Sequence, residues 1–411
     1  MTPATKILLV DDDPTVRSIP ALFLRKWGYD VTEASDGRQA LEILTREPIG
    51  LVVSDWLMPH VSGVDLCRRI RAQASERYTY LILCTSKGEK ADLIEGMEAG
   101  ADDFLVKPIN REELRVRIRA GERVLELERG LAERNRELSA SNAQLQVAYQ
   151  RIEGDLQAAA WMQSNLLPTP SRKTLNVTSE WRFRPSSYVA GDIFNIFALE
   201  DGRVGFYLLD VSGHGVPAAM LSVTLSMVLT PDSAHGGPLT RLNSSTGIYD
   251  AVPPAEVVSD LNQRFQSKDD RYFTMAYGLF DSRTGELSLT QAGHPSPVWI
   301  RAGRELQMLG EGGSPVGLWP DMEYDTVHAS LCPGDRLVLY SDGVVECANA
   351  QGELFGDQRL LDYLQGARDE CLPQMLAGLE KEMELWRGGT EFDDDVSLLA
   401  LEFSGQDREQ L

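Results

Sequence analysis

Leu208-Leu209-Asp210-Val211-Ser212-Gly213-His214-Gly215 ends an apolar run on an aspartate and then turns through two glycines. Residues 204–211 read as a strand and 218–229 as a helix. Three more aspartates stand at strand ends in the same half of the chain. They are Asp192 in Ala190-Gly191-Asp192, Asp342 in Tyr340-Ser341-Asp342-Gly343, and Asp394 in Asp393-Asp394-Asp395-Val396-Ser397. A strand end presents a carboxylate at the rim of a sheet while the strand stays in the core. Four such carboxylates, converging, form a hard oxygen site suited to Mg2+ or Mn2+. Two cations sharing that site can activate a water for hydrolysis of a phosphate ester. Gly191, Gly213, Gly215 and Gly343 permit close backbone approach or sharp turns beside the acids. The Val211 carbonyl adjoins Asp210 as a further oxygen. His214 reads more simply as a helix-start residue than as a reacting group.

Around these acids, residues 172–404 have an α+β pattern. A second helix spans 254–265, and 273–280, 287–292 and 297–301 form an antiparallel meander. Two more strands, 335–341 and 396–403, are separated by helices within 356–386. Residues 231–252, rich in Gly, Ser, Thr and Pro, read as a long surface loop. The stretch 155–404 resembles the PPM-type serine/threonine phosphatases of the bacterial sporulation and stress-sigma-regulator class. The resemblance rests on Gln163-Ser164-Asn165-Leu166-Leu167-Pro168, Ala190-Gly191-Asp192, the Asp210–Gly215 run, Phe273-Thr274-Met275, Ala292-Gly293-His294-Pro295, Tyr340-Ser341-Asp342-Gly343-Val344-Val345-Glu346 and Asp394-Asp395-Val396-Ser397-Leu398. It implies a β-sandwich flanked by helices. It also implies two Mn2+ or Mg2+ ions bridged by Asp210, with Asp342 and Asp394 completing one shell, and Asp192 and the Val211 carbonyl serving the other. Two positions depart from the pattern: Asn195 stands where many members have a second aspartate, and Gln291 replaces a common asparagine. Arg184 is a possible phosphate contact, with a plain surface role the simpler reading.

Upstream, no proline interrupts the helical pattern between Arg111 and Pro168. Leu131, Leu138, Leu145 and Ile152 recur every seven residues, and Asn135, Asn142, Tyr149 and Leu156 follow each by four. This a/d ladder, with asparagines that favour one register, predicts a two-stranded parallel coiled coil about 80 Å long. The alternative is a single amphipathic helix lying on a domain, but the charged remainder of its surface fits a solvated coil better.

The front of the chain alternates strands (6–10, 30–34, 50–54, 80–84, 103–106) with amphipathic helices, which predicts a parallel sheet covered on both faces. Ligands of such sheets bind beyond the carboxyl ends of the strands. Those ends carry Asp11, Asp12, Asp55, Thr85 and Lys107, so three carboxylates, a hydroxyl and an ammonium share one rim. A divalent cation among the acids would relieve their repulsion, and the lysine can contact a phosphoryl oxygen. Residues 1–120 resemble the flavodoxin-like receiver domain of two-component response regulators through Val10-Asp11-Asp12-Asp13, Ser54-Asp55-Trp56-Leu57-Met58-Pro59, Thr85-Ser86 and Lys107-Pro108. The resemblance implies that a histidine kinase or other phosphodonor phosphorylates Asp55. Asp11 and Asp12, with Asp55 and the Leu57 carbonyl, would hold Mg2+. Thr85 and Lys107 would bind the phosphoryl group, and Phe104 would be the aromatic switch.

The whole is therefore read as multidomain: receiver 1–120, coiled-coil linker 121–167, phosphatase 168–404 and a C-terminal tail 405–411. With 411 residues and a net charge of −22, the chain is a poor nucleic-acid or anionic-membrane binder. It has no apolar run of about 18 residues and no signal-like start, and its five cysteines have no metal-type spacing. A cytoplasmic location is expected. The resemblance implies, as substrate, the phosphoserine of a STAS-type anti-anti-sigma protein in a partner-switching pathway. The competing readings are a pseudophosphatase scaffold that binds such a partner without hydrolysis and, more weakly, a nucleotide cyclase.

Overall fold

A computed structural model describes residues 5–73, 77–86, 90–231, 237–266 and 271–404; the expected tail at 405–411 lies outside the described residues. The chain divides into two compact units, Met1–Ala148 and Tyr149–Leu411.

The first unit runs β1 (Lys6–Val10), α1 (Pro14–Lys26), β2 (Asp30–Ala34), α2 (Gly37–Arg46), β3 (Leu51–Asp55), α3 (Gly63–Ala72), β4 (Tyr80–Thr85), α4 (Lys90–Glu98) and β5 (Asp103–Val106). All pairings are parallel, in the order β2-β1-β3-β4-β5. The central strands are apolar on both faces because both faces are covered. Leu8, Val10, Val52, Leu81 and Leu83 pack with Ala40 of α2 and Val64, Leu66 and Cys67 of α3. The alternate residues Ile7, Leu9, Leu51, Val53 and Ile82 pack with Ala21 and Leu24 of α1. Asp55 and Thr85 are the last residues of their strands, which run one residue past the expected ends at 54 and 84.

Helix α5 (Arg111–Ser164) is 54 residues long and continuous. Its first part joins the sheet core through Leu114, Ile118 and Leu125. Leu131, Leu138, Leu145 and Ile152 are each more than half exposed.

The second unit continues with β6 (Arg172–Thr174), β7 (Val177–Arg184), β8 (Ile193–Ala198), β9 (Arg203–Val211), α6 (Val216–Val228), β10 (Thr240–Leu242), β11 (Tyr249–Ala251), α7 (Pro254–Arg264), β12 (Phe273–Asp281), β13 (Glu286–Ala292), β14 (Val298–Ile300), β15 (Gln307–Met308), β16 (Val327–Ser330), β17 (Arg336–Tyr340), α8 (Asp342–Val345), α9 (Gly356–Gly366), α10 (Leu372–Arg387) and β18 (Val396–Phe403). Two antiparallel sheets, β16-β13-β12-β9-β8 and β15-β14-β17-β18-β7-β6, stack face to face. Phe280 of β12 meets Phe403 of β18 with ring centroids 4.1 Å apart, and Trp181 of β7 meets Phe194 of β8 at 5.5 Å. The period of two sorts the second sheet's side chains. Leu337, Leu339, Leu399 and Leu401 face the inter-sheet core. Val338, Tyr340, Leu398 and Ala400 face α9 and α10, against Leu360, Leu376, Leu379 and Met383. Helices α6 and α7 add Leu225, Val257, Val258 and Leu261 to the core of the first sheet.

The segment 231–252 is not simply a surface loop. It carries the β10–β11 hairpin, with Leu239, Thr240, Ala251 and Val252 buried. Its polar composition hid two three-residue strands too short to show a period.

Leu399 is fully buried between the sheets, whereas Leu385 on α10 is 69% exposed. In chemical denaturation Leu399→Ala is expected to cost about 2–5 kcal/mol, and Leu385→Ala less than about 0.5 kcal/mol. Equal costs would contradict the sandwich packing.

Candidate functional site

The four aspartates meet because antiparallel strands put one strand's end beside its neighbour's start. In the first sheet Ile193 pairs with Leu209, so Asp192, one residue before β8, comes opposite Asp210 near the end of β9. In the second, Tyr340 pairs with Leu398, which puts Asp342, just past β17, beside Asp394, just before β18. The sandwich joins the two pairs at one rim. Asp210 feels the charges of Asp342, Asp394 and Asp395, and Asp192 feels Asp210 and Asp395.

Crowding is tight enough to exclude side chains. A Cβ on Gly191 would lie 2.9 Å from the Val211 carbonyl oxygen, and one on Gly343 would lie 2.2 Å from that of Asp395. These two glycines serve close approach.

The electrostatic consequence is large. Asp192 is buried, and neither of its oxygens has a hydrogen-bond partner among the described residues, although the Ser341 and Ser397 hydroxyls are near enough to ease its charge. Burial first, then Asp210 and Asp395, push its carboxyl well above the usual range. Burial, followed by Asp342, Asp394 and Asp395, raises Asp210 to about 7. Burial, Asp394 and Glu346 raise Asp342 to about 6. Asp394 itself is exposed toward solvent. Orphaned, mutually repelling carboxylate oxygens are the donor set a hard divalent cation takes, so these residues fit the implied metals.

A second acidic rim lies in the first unit. Asp11, Asp12 and Asp55 bring one oxygen each within 4.8 Å of one another. Here the protein supplies its own cation. Lys107 Nζ lies 2.8 Å from Asp55 and 2.9 Å from Asp11. Burial pushes the Asp55 carboxyl up, against the pull of Lys107. Thr85 is buried at the end of β4, and its carbonyl accepts from the Lys107 N–H at 2.8 Å. Leu57 follows in the β3–α3 loop. Phe104 is half-buried on β5, with the Arg117 guanidinium 5.9 Å from its ring centre. Asp13, third of the acidic run, instead caps α1 by accepting from Thr15 N and Val16 N.

The response regulator receiver domain family model matches residues 7–119, and that of Stage II sporulation protein E (SpoIIE) matches residues 200–404. The chain joins a response-regulator receiver to a SpoIIE-family phosphatase domain. The first part is 41% identical over 115 residues to the probable transcriptional regulator ycf27 of Porphyridium aerugineum, covering 28% of this chain and 47% of that one. It is 36% identical over 119 residues to the transcriptional regulatory protein ResD of Bacillus subtilis, covering 29% and 48%. The chain thus spans about half the length of the curated relatives it matches. The SiaA-PP2C domain of Pseudomonas aeruginosa shares the second unit's fold, with a TM-score of 0.51 and 22% identity over 62% of this chain and 99% of that one.

Several positions in the second unit have structural employment. Arg184 pairs with Glu380 and Glu384 of α10. Asn195 accepts from the adjacent Ile196 N–H. Gln291 is buried and donates to the His294 carbonyl at 3.1 Å while accepting from Gly312 N at 3.3 Å. His214 is exposed ahead of α6. His294 is buried, its Nδ1 2.9 Å from Thr274 Oγ1, and burial drives its pKa down to about 3, so it stays neutral. Sequence reasoning gave no individual role to Asp395, which accepts from Ser186 N at 2.7 Å and Gly191 N at 2.7 Å. Its place next to Asp394 was the available signal.

The raised acids predict a pH dependence. A carboxyl whose pKa is higher folded than unfolded stabilises the fold at low pH, and that contribution is lost as pH rises through the folded value. In chelator, the melting temperature is expected to fall as pH rises through about 6 to about 7, and Mn2+ should reverse the fall. Asp210→Asn should flatten the dependence. An unchanged slope in that variant would show that the acids do not repel as described.

Proposed function

We propose that this chain is a response regulator whose receiver governs a metal-dependent protein serine/threonine phosphatase. The observation that carries this is the convergence of Asp192, Asp210, Asp342 and Asp394, with the carboxyls of Asp192, Asp210 and Asp342 raised by burial and by neighbouring acids and no internal cation among their largest influences. Asp342 and Asp394 would hold one Mn2+ or Mg2+ ion and Asp192 with the Val211 carbonyl a second, and Asp210 would serve both. Divalent cations bound there lower the pKa of a water and stabilise charge on phosphoryl oxygens. The protein's part is to hold the carboxylates on rigid strand ends and to seal Asp192 from solvent. Hydrolysis is direct, without a covalent enzyme intermediate.

The substrate is a phosphoserine protein of the STAS-type anti-anti-sigma class, and removal of its phosphate feeds a partner-switching pathway that regulates a sigma factor. The protein works in the cytoplasm. The receiver occupies 1–120, the coiled-coil linker 121–167 and the phosphatase domain 168–404. In the receiver, Asp55 accepts phosphate from a histidine kinase or other donor, with Mg2+ on Asp11, Asp12, Asp55 and the Leu57 carbonyl. Thr85 and Lys107 bind the phosphoryl group, and Phe104 repositions. The exposed heptad residues Leu131, Leu138, Leu145 and Ile152 support a parallel homodimer, whose paired α5 helices carry the signal. Phosphorylation activates.

With Mn2+, the full chain should hydrolyse a phosphoserine STAS substrate, and Asp210→Ala or chelation should abolish turnover. Persistent activity in either case would contradict the two-cation assignment. Beryllofluoride with Mg2+ should stimulate the wild type but not Asp55→Ala; a responsive variant would place the phosphoacceptor elsewhere. Inserting about three or four residues after Leu145 should break the stimulation while sparing basal turnover. Stimulation that survives the insertion would contradict the helical relay.

A further inference from the structure

Near its end, α5 buries a single polar side chain. Gln163 is 3% exposed, whereas Trp161 and Met162 beside it are 67% and 64% exposed. A buried carboxamide requires partners, and this one has three. Its Oε1 accepts from Ala190 N at 3.0 Å. Its Nε2 donates to the Ala190 carbonyl at 2.8 Å and to Ser222 Oγ of α6 at 3.2 Å. An amide N–H only donates and a carbonyl only accepts, so both ends of the carboxamide are fixed. A glutamate cannot donate to the carbonyl, and an asparagine is one methylene short.

The next peptide is held from the other side. Gly191 N donates to Asp395 Oδ2 at 2.7 Å, while Asp395 Oδ1 accepts from Ser186 N and Ser186 Oγ. Strand β8 begins only at Ile193. The two residues ahead of Asp192 are therefore secured by the side chains of Gln163, Ser222 and Asp395 rather than by a sheet ladder. Asp192 has no hydrogen-bond partner of its own among the described residues, so its placement is inherited from this main chain.

We propose that Gln163 is a positioning residue for Asp192: by clamping Ala190 it sets the divalent-cation affinity of the phosphatase-domain site. This rests on the two-cation reading above. The clamp makes the last turns of α5 part of the metal site's support although no α5 side chain enters the site. Loss of the carboxamide leaves the Ala190 N–H buried without a partner and its carbonyl with only the Ser222 hydroxyl at 3.3 Å, and the segment relaxes to find others.

The test is calorimetric titration of Mn2+ into the chelator-treated full chain, with Asp12→Asn and Asp55→Asn in every sample to silence the receiver triad. Gln163→Met and Gln163→Asn are expected to weaken Mn2+ binding about tenfold or more. The same variants should need correspondingly more Mn2+ for hydrolysis of p-nitrophenyl phosphate. The asparagine variant keeps a carboxamide and covers the case in which the methionine variant does not fold. Folded variants that bind Mn2+ as tightly as the parent would overturn the role of Gln163. A parent that binds no Mn2+ would instead overturn the two-cation reading.

Discussion

The repulsion among carboxylates that four strand ends deliver to one rim is the constraint on which the second unit depends. Each acid is tolerable alone at a strand terminus, but together, with Asp192, Asp210 and Asp342 withdrawn from solvent, they oppose the ionised state. The fold imposes this arrangement through rigid parts. Register sets Asp192 opposite Asp210 and brings Asp342 near Asp394, and the stacked sheets press the two pairs together. Gly191 and Gly343 remove the side chains that would keep the segments apart. Nothing local requires such crowding for stability, so its use lies in what relieves it.

The two acidic rims of this protein balance charge differently. In the receiver, Lys107 bridges Asp11 and Asp55, and the internal ammonium offsets much of the triad's charge. In the phosphatase domain the leading influences on Asp210, after burial, are three other aspartates. On the proposed reading the first rim receives a phosphoryl group beside its lysine, and the second is completed by cations from outside. A switch and a hydrolytic centre would then be different demands on similar residues, and the presence of a lysine separates them.

Much of this was legible in the sequence because the strands are long, apolar and closed by acids. β1, β2, β5 and β18 follow the expected residues, and all four aspartates lie where apolar runs meet turns. The β10–β11 hairpin was missed because three-residue strands carry no period and sit in Gly/Ser/Thr-rich sequence. β7 and β8 were also less visible: β7 mixes charged and aromatic residues, and β8 is interrupted by Asn195. The tertiary roles of Gln163 and Asp395 could not be read from pattern at all. Gln163 lies in a helix with exposed neighbours, and its burial follows from the docking of a loop 27 residues away. Asp395 differs from Asp394 only in the direction its side chain takes from the strand start.

The most direct test of the central claim is anomalous diffraction at the manganese edge from crystals of the full chain grown with Mn2+. Two anomalous peaks at the second unit's rim are predicted, with Asp210 beside both, Asp342 and Asp394 at one and Asp192 at the other. Crystals that show manganese only at Asp11, Asp12 and Asp55, or none at the four converging aspartates, would contradict it.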